Sequence, residues 1–308
     1  MQISINDLFN ATGNVQDIWS LSVKGHRHIL HPVPGVTLLE QSVCASKSVE
    51  IVEQAQPGLY LSFYSSASTK QKSSLKKHQR ANHNNDCVQV TYLPKTASGT
   101  FPLEIDTSYN LTQIHLTPER CASLTGETED KILSYFLEVG DKLGNKGNVI
   151  TLSNTHQLKE AVRPLLVCAF GDSKSISLTG KIYNLFFEIL EHLQITKHIN
   201  ACEDCQNKIL SGQNLLEVAF SSTRSTKEIA QAVGLNQTAF ELGFHHLTGQ
   251  STTHYQKHIR VKQAALKIKD SPEKKSEIVM GSGLSEEEFE ETFLKQFGVL
   301  SHQYGQIH

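Results

Sequence analysis

Over roughly the first 116 residues, hydrophobic and polar positions alternate in short runs. The segments DIWSLSV (17–23), GVTLLEQSVCA (35–45), GLYLSFYSS (58–66), DCVQVTYL (86–93), GTFPLEID (99–106) and YNLTQIHL (109–116) are rich in β-branched and aromatic residues. Gly, Pro, Asn or Asp separates them. A period of two places alternate side chains on opposite faces, so each run reads as a strand, and the close spacing predicts an antiparallel sandwich or barrel.

From Thr117 the period becomes helical. TPERCASLTG (117–126) has Thr117 as N-cap, Pro118 at the first helical position and Gly126 as a stop. HQLKEAVRPLLVCAF (156–170) and SLTGKIYNLFFEILEHLQI (177–195) read as amphipathic helices, the first kinked or ended by Pro164. In the second, Ile182, Leu185, Phe186, Ile189, Leu190 and Leu193 form a broad apolar stripe, suited to a core or to a dimer seam.

One pattern then occurs twice, with Gly234 and Gly283 about 49 residues apart. In STKEIAQAVGLNQTAFELGFHHLTG (225–249), Ile229 and Val233 give a short helix its apolar side. Gly234 supplies a left-handed turn, Asn236 caps the next helix, and Phe240 with Phe244 packs that helix down. In KSEIVMGSGLSEEEFEETFLKQFG (275–298), Ile278, Gly283, Leu284, Ser285, Phe289 and Phe293 take the same places. STTHYQKHIRVKQAALKIKDS (251–271) between them reads as one long helix. Two helix-turn-helix motifs on a linker helix are the expected outcome.

At 308 residues the chain is long for one core, and two domains are expected, 1–195 and 199–308, with the joint near ITKHINA (195–201). A hydrophobic content of 38% with 19% charged residues excludes a disordered chain. The start has no basic segment leading into an apolar run, and no apolar stretch is long enough to span a bilayer. A cytoplasmic protein is therefore expected. The six cysteines are scattered, which predicts reduced, mostly buried thiols. His198, Cys202 and Cys205 share one helix face without an evident fourth ligand, and packing is the expected role. HRHILHP (26–32) puts His26 and His28 on one strand face with His31 nearby. The nearest downstream acid is Glu40, so no metal site is expected there. The polar link 66–86 carries Lys70, Lys72, Lys76, Lys77 and Arg80. It reads as a solvated hairpin loop, with a basic lip for an anion as the alternative. No nucleophile elbow, phosphate-cradling glycine loop or HExxH stands in the chain, so neither an enzyme nor a bound cofactor is expected.

The C-terminal third resembles the AraC/XylS family of bacterial transcription regulators. Ile229, Ala230, Gly234, Leu235 and Phe244 match the framework of that family's first motif. Gly249, Tyr255, Arg260 and Ala264 match the signature leading into its linker helix. Ile278, Gly283, Phe293, Phe297, Gly298 and Tyr304 match the second motif. The N-terminal part is diffusely similar to siderophore-responsive regulators of the PchR type. The resemblance implies an α+β chain, with a β-rich sandwich or barrel sensor domain and trailing helices, then an all-α DNA-binding domain. It further implies double-stranded promoter DNA, a small-molecule effector related to iron-siderophores, RNA polymerase and a second copy as partners. The residues it points to for DNA are Asn236, Gln237, Thr238, Glu241, His245, Lys257, Arg260, Ser285, Glu286 and Glu287.

Several positions depart from that family. Its recognition helices carry an arginine two residues before the phenylalanine, and Leu242 and Glu291 stand there. The second turn is one residue shorter than usual, Ser301 replaces a proline, and Gly305 replaces an arginine. From Ala201 onward there are 11 Lys and Arg against 13 Asp and Glu, a net of about −2, where a DNA-binding module is expected to be basic. Three explanations stand. Glu286–Glu288 complement a helix dipole and face away from DNA; or the first motif reads alone; or the scaffold acts through another protein. The domain's histidines, His245, His246, His254, His258, His302 and His308, are expected to add phosphate-binding charge in mild acid.

Overall fold

The computed structural model describes residues 2–4, 15–17, 23–65, 87–103, 105, 108–143, 148–169, 175–218, 224–270 and 275–307. The basic link 66–86 and most of the strand expected over 17–23 lie outside these residues. The chain is α+β and divides into two compact units, 1–197 and 198–308.

The strands of the first unit are β1 (Gln2–Ser4), β2 (Val15–Asp17), β3 (Val23–Leu30), β4 (Val36–Ala45), β5 (Val49–Ala55), β6 (Gly58–Ser65), β7 (Cys87–Leu93), β8 (Ala97–Leu103), β9 (Ser108–Leu116) and β10 (Val149–Ser153). Seven form an antiparallel sheet in the order β10-β7-β6-β9-β4-β3-β2, and β1, β5 and β8 form a second.

Strand β4 shows how the sequence builds this unit. Its apolar doublet Leu38–Leu39 breaks simple alternation, because the strand serves two compartments. Val36 and Leu38 are buried on one face with Ile114, Leu61 and Val90 across the sheet. On the opposite face Val43 and Ala45 join Val23, Val49, Ile51 and Leu103 in a core shared by both sheets.

Four helices follow, α1 (Pro118–Thr125), α2 (Glu129–Lys142), α3 (His156–Ala169) and α4 (Ser175–Ala201). Helix α1 has the expected caps, with Thr117 Oγ1 accepting from Arg120 N–H at 3.3 Å and Gly126 left-handed at φ 72°. Helix α3 continues past Pro164 instead of ending there. Its buried Leu158, Val162 and Leu165 hold it in place on both sides of the one lost backbone bond. The apolar stripe of α4 is core, with Ile182, Leu185, Phe186, Ile189 and Leu193 each at most 1% exposed.

The second unit is helical: α5 (Glu203–Val218), α6 (Thr226–Ala232), α7 (Gln237–Thr248), α8 (Thr252–Asp270), α9 (Lys275–Gly281), α10 (Glu286–Phe297) and α11 (Ser301–Ile307). No helix among the described residues is long and apolar enough to cross a membrane.

Candidate functional site

Helices α6–α7 and α9–α10 are two helix-turn-helix frames flanking α8. In the first, a capping box starts α6, with Ser225 N–H donating to Glu228 at 2.7 Å. Gly234 makes the turn at φ 75°, and Asn236 Oδ1 caps α7 by accepting from Ala239 N–H at 2.8 Å. In the second, Gly283 turns at φ 69° and Ser285 caps α10 through a capping box with Glu288. Gly, cap and paired phenylalanines have the same spacing in both, so the two turns of this chain are equal in length.

Each frame carries its own aromatic core. Phe240, Phe244 and Tyr255 pack in the first, with ring centroids 5.8 and 5.2 Å apart. Phe289, Phe293, Phe297 and Tyr304 pack in the second. Gly243 and Gly212 allow close approach in the first, since an added Cβ would lie 2.2 Å from Ile209 Cδ1 and 2.3 Å from Phe240 Cε2, respectively.

The residues expected to face DNA are only partly displayed. Asn236, Ser285, Glu286 and Glu287 are exposed; Gln237, Thr238, His245, Lys257 and Arg260 are half-buried. Glu241 is a correction to the sequence reading. It is 8% exposed, and its carboxylate accepts from Gln237 Nε2 at 2.8 Å, so it is turned away from any groove. Leu242, at the family's arginine position, is buried. The side chains of Asn236 and Ser285 are both occupied as caps.

The acidic run on α10 also resolves into separate duties. Glu288 closes the capping box and pairs with Lys257 at 2.8 Å. That lysine lowers its carboxyl below the ordinary value. Glu290 accepts from Ser301 N–H at 3.1 Å and so holds the start of α11. Glu291 pairs with Lys295 at 2.7 Å. Glu286 and Glu287 stay exposed and make no ion pair among the described residues. Lys257, expected to meet phosphate, is thus engaged internally. Arg260 lies against the Gly283 turn, 3.5 Å from the position a Cβ would take there.

The histidine expectation needs correction at two positions. Burial holds both His246 and His258 below the ordinary histidine value, and His254 and Lys295 lower His258 further. Each therefore takes up its proton at a lower pH than an ordinary histidine. His308 lies outside the described residues.

In the first unit, a cavity of about 360 Å³ lies on the polar face of the large sheet, with Gln54 and Ala55 of β5 in its wall. Arg27, Tyr60, Ser62, Gln89, Gln113 and His115 line it together with Ile29, Leu39 and Leu93. Gln113 Nε2 donates to Ser62 Oγ at 2.9 Å, and His115 Nε2–H donates to the Pro57 carbonyl at 2.8 Å while stacking on Tyr60. The sequence led to the expectation of a sensor domain but to none of these residues. Their signal was a polar residue at every second strand position, indistinguishable in one strand from a solvent face.

The β3–β4 register sets Glu40 opposite His28. Burial raises the Glu40 carboxyl, against the pull of His26 and His28. Among the described residues, however, only His198, Cys202 and Cys205 bring three ligand atoms within reach of one ion. Those three are not buried packing: His198 is exposed and both thiols are half-buried. Of the described cysteines only Cys121 is buried, and burial pushes its thiol up to about 12.

No protein-family model matches the chain, and no curated protein does. Among solved structures it is similar to ToxT from Vibrio cholerae, at 13% identity over 85% of this chain and 98% of that one, with a TM-score of 0.28. It is also similar to ToxT from V. cholerae O395 bound to (E)-4-(8-methylnaphthalen-1-yl)but-3-enoic acid, at 15% identity over 96% and 97% of the two chains, TM-score 0.29. A third is unsaturated fatty acid bound wild-type ToxT from V. cholerae strain SCE256, at 10% identity over 87% and 94%, TM-score 0.27. An overlap this loose carries neither a ligand nor an activity across.

Proposed function

We propose that the protein is a non-enzymatic, DNA-binding transcription regulator of the AraC type, controlled by a small effector in its first unit. The observation that carries this reading is the pair of equal frames, Gly234–Asn236–Phe240–Phe244 and Gly283–Ser285–Phe289–Phe293, on one linker helix. In a helix-turn-helix the second helix enters a major groove with its N-terminal side chains at the base edges. The start of α7, uncharged at Asn236, Gln237 and Thr238, suits that task better than the acidic start of α10. Promoter DNA, RNA polymerase and a second copy of the chain are the partners this reading implies. The cavity lining offers one guanidinium, Arg27, and no carboxylate. Its volume is at the small end of ligand sites. Both features favour a compact organic acid over a bulky iron chelate.

The exposed Glu286 and Glu287 favour a second reading, in which α10 meets a basic protein surface. Fluorescence anisotropy of the full chain separates the two, using a duplex of its own upstream region, a random duplex as control, and a salt titration. Preferential binding that weakens steeply with salt and is reduced by Asn236→Ala and Gln237→Ala supports the first reading. No duplex binding even at low salt overturns it in favour of the second.

A further inference from the structure

The end of α4 and the start of α5 gather three side chains of metal-ligand type. The ligand atoms of His198, Cys202 and Cys205 all lie within 4.8 Å of one another. Cys205 Sγ is 3.7 Å from His198 Nε2. Bond lengths of about 2.3 Å to sulfur and 2.0–2.1 Å to nitrogen around tetrahedral zinc give a sulfur–nitrogen edge of about 3.6 Å. The pair therefore already stands at the spacing of adjacent ligands on one ion.

The backbone holds this arrangement. Cys202 N–H donates to the Ile199 carbonyl at 3.1 Å, and Gln206 N–H to the Cys202 carbonyl at 3.0 Å. Gln206 Nε2 donates to the carbonyls of Ile199 and Asn200 at 3.1 and 2.9 Å. The helix junction is tied from both sides. Cys205 N–H donates to Cys202 Sγ at 3.2 Å, the kind of outer hydrogen bond that orients a ligand. Exposure of His198 leaves an entry path.

We propose that His198, Cys202 and Cys205 bind a thiophilic divalent ion of the zinc type, with the fourth position open to water or an external ligand. On binding, each thiol releases its proton to solvent and bonds through sulfur, and neutral His198 bonds through its Nε2 lone pair. Two protons leave per ion. The same CxxC spacing also suits a disulfide, but a disulfide gives no role to His198. Metal binding would pin the base of α5, whose Ile209 and Gly212 pack on α7, and so stiffen the support of the first helix-turn-helix.

The test titrates cobalt(II), then zinc, into the reduced, chelator-treated full chain. Expected are thiolate-to-cobalt charge-transfer absorption saturating at one equivalent, its loss on zinc addition, and, in a separate titration of the metal-free chain with zinc, release of two protons per ion. Cys202→Ser and Cys205→Ser each abolish the band, His198→Gln weakens zinc binding at least about tenfold, and Cys44→Ser and Cys87→Ser change nothing. Absence of the band, its survival in both Cys202→Ser and Cys205→Ser, or zinc binding without proton release would overturn the site. So would a Cys202–Cys205 disulfide that forms in air as fast with zinc as without it. The proton count reads the parent chain alone and stands even where a variant fails to fold.

Discussion

The Lys257 ammonium lies 2.8 Å from the Glu288 carboxylate, tying the long helix α8 to the first turn of α10. One carboxylate thereby caps a helix and withdraws a cation from the surface where a phosphate would compete for it. Glu288→Gln keeps a side chain able to complete the capping box but releases Lys257. Thermal unfolding should barely move, while non-specific duplex affinity rises and its logarithmic salt slope steepens by about 1. Glu288→Ala, which also loses the cap, should cost about 1 kcal/mol in urea unfolding.

Two glycines of the second unit, Gly212 and Gly243, are there for space. Gly212→Ala would drive a methyl into the fully buried Phe240 ring at 2.3 Å, and Gly243→Ala into the flexible end of Ile209 at 2.2 Å. Calorimetry should find both destabilised by about 1–3 kcal/mol, Gly212→Ala the more, because a packed ring yields less than a methyl terminus. Gly180 in α4 has nothing within 4 Å of its added Cβ. Gly180→Ala should stabilise by up to about 1 kcal/mol through helix propensity alone.

A buried pair joins α3 to α4. His192 Nδ1 lies 2.7 Å from the Glu188 carbonyl, which only accepts, so that nitrogen bears the proton. Nε2 therefore accepts from the Thr155 hydroxyl at 3.0 Å, and Thr155 Oγ1 in turn accepts from Leu158 N–H. Thr155→Val or His192→Leu alone leaves a buried partner unsatisfied, at about 1–3 kcal/mol. The double variant should cost less than the sum of the two, which a double-mutant cycle in urea reads directly.

Acidification should destabilise the fold. His115, His246 and His258 are all held below the ordinary histidine value of 6.5, chiefly by burial, with the Pro57 carbonyl partly opposing the shift at His115. Below that value the unfolded chain takes up protons that the folded chain refuses. Their contribution is whole above about 6.5 and is lost as pH falls through the lowered values. Urea midpoints should drop between pH 7 and 5.5, and His258→Gln should flatten part of the slope.

The fold class was legible where a local rule had no competitor. Thr117–Pro118–Gly126 marked α1, Gly234–Asn236 and Gly283–Ser285 marked the two turns, and the alternation of β7 and β9 marked strands. Helix α2 had an equally local signal in Thr128, Ile132, Phe136 and Val139 that the sequence reading passed over. Strands β5 and β10 are different. VEIVEQA carries two glutamates, and VITLS is short and pairs with β7 from more than 50 residues away; what makes them strands is their partners. The candidate site was legible in its frame and not in its surface. Caps and phenylalanines follow from spacing, whereas the inward turn of Glu241 and the pairing of Lys257 depend on neighbours that spacing does not name.

Strand β4 runs from one hydrophobic compartment into another, with Leu38 in the first and Val43 in the second. A strand so divided cannot leave one compartment and stay in the other, for its hydrogen bonds to β3 and β9 are continuous along its length. Opening fluctuations of the sheet are thereby made all-or-none. Amide protons of β4 should exchange with one common free energy from Val36 to Ala45, and the cavity beside Leu39 cannot widen by local melting of its wall.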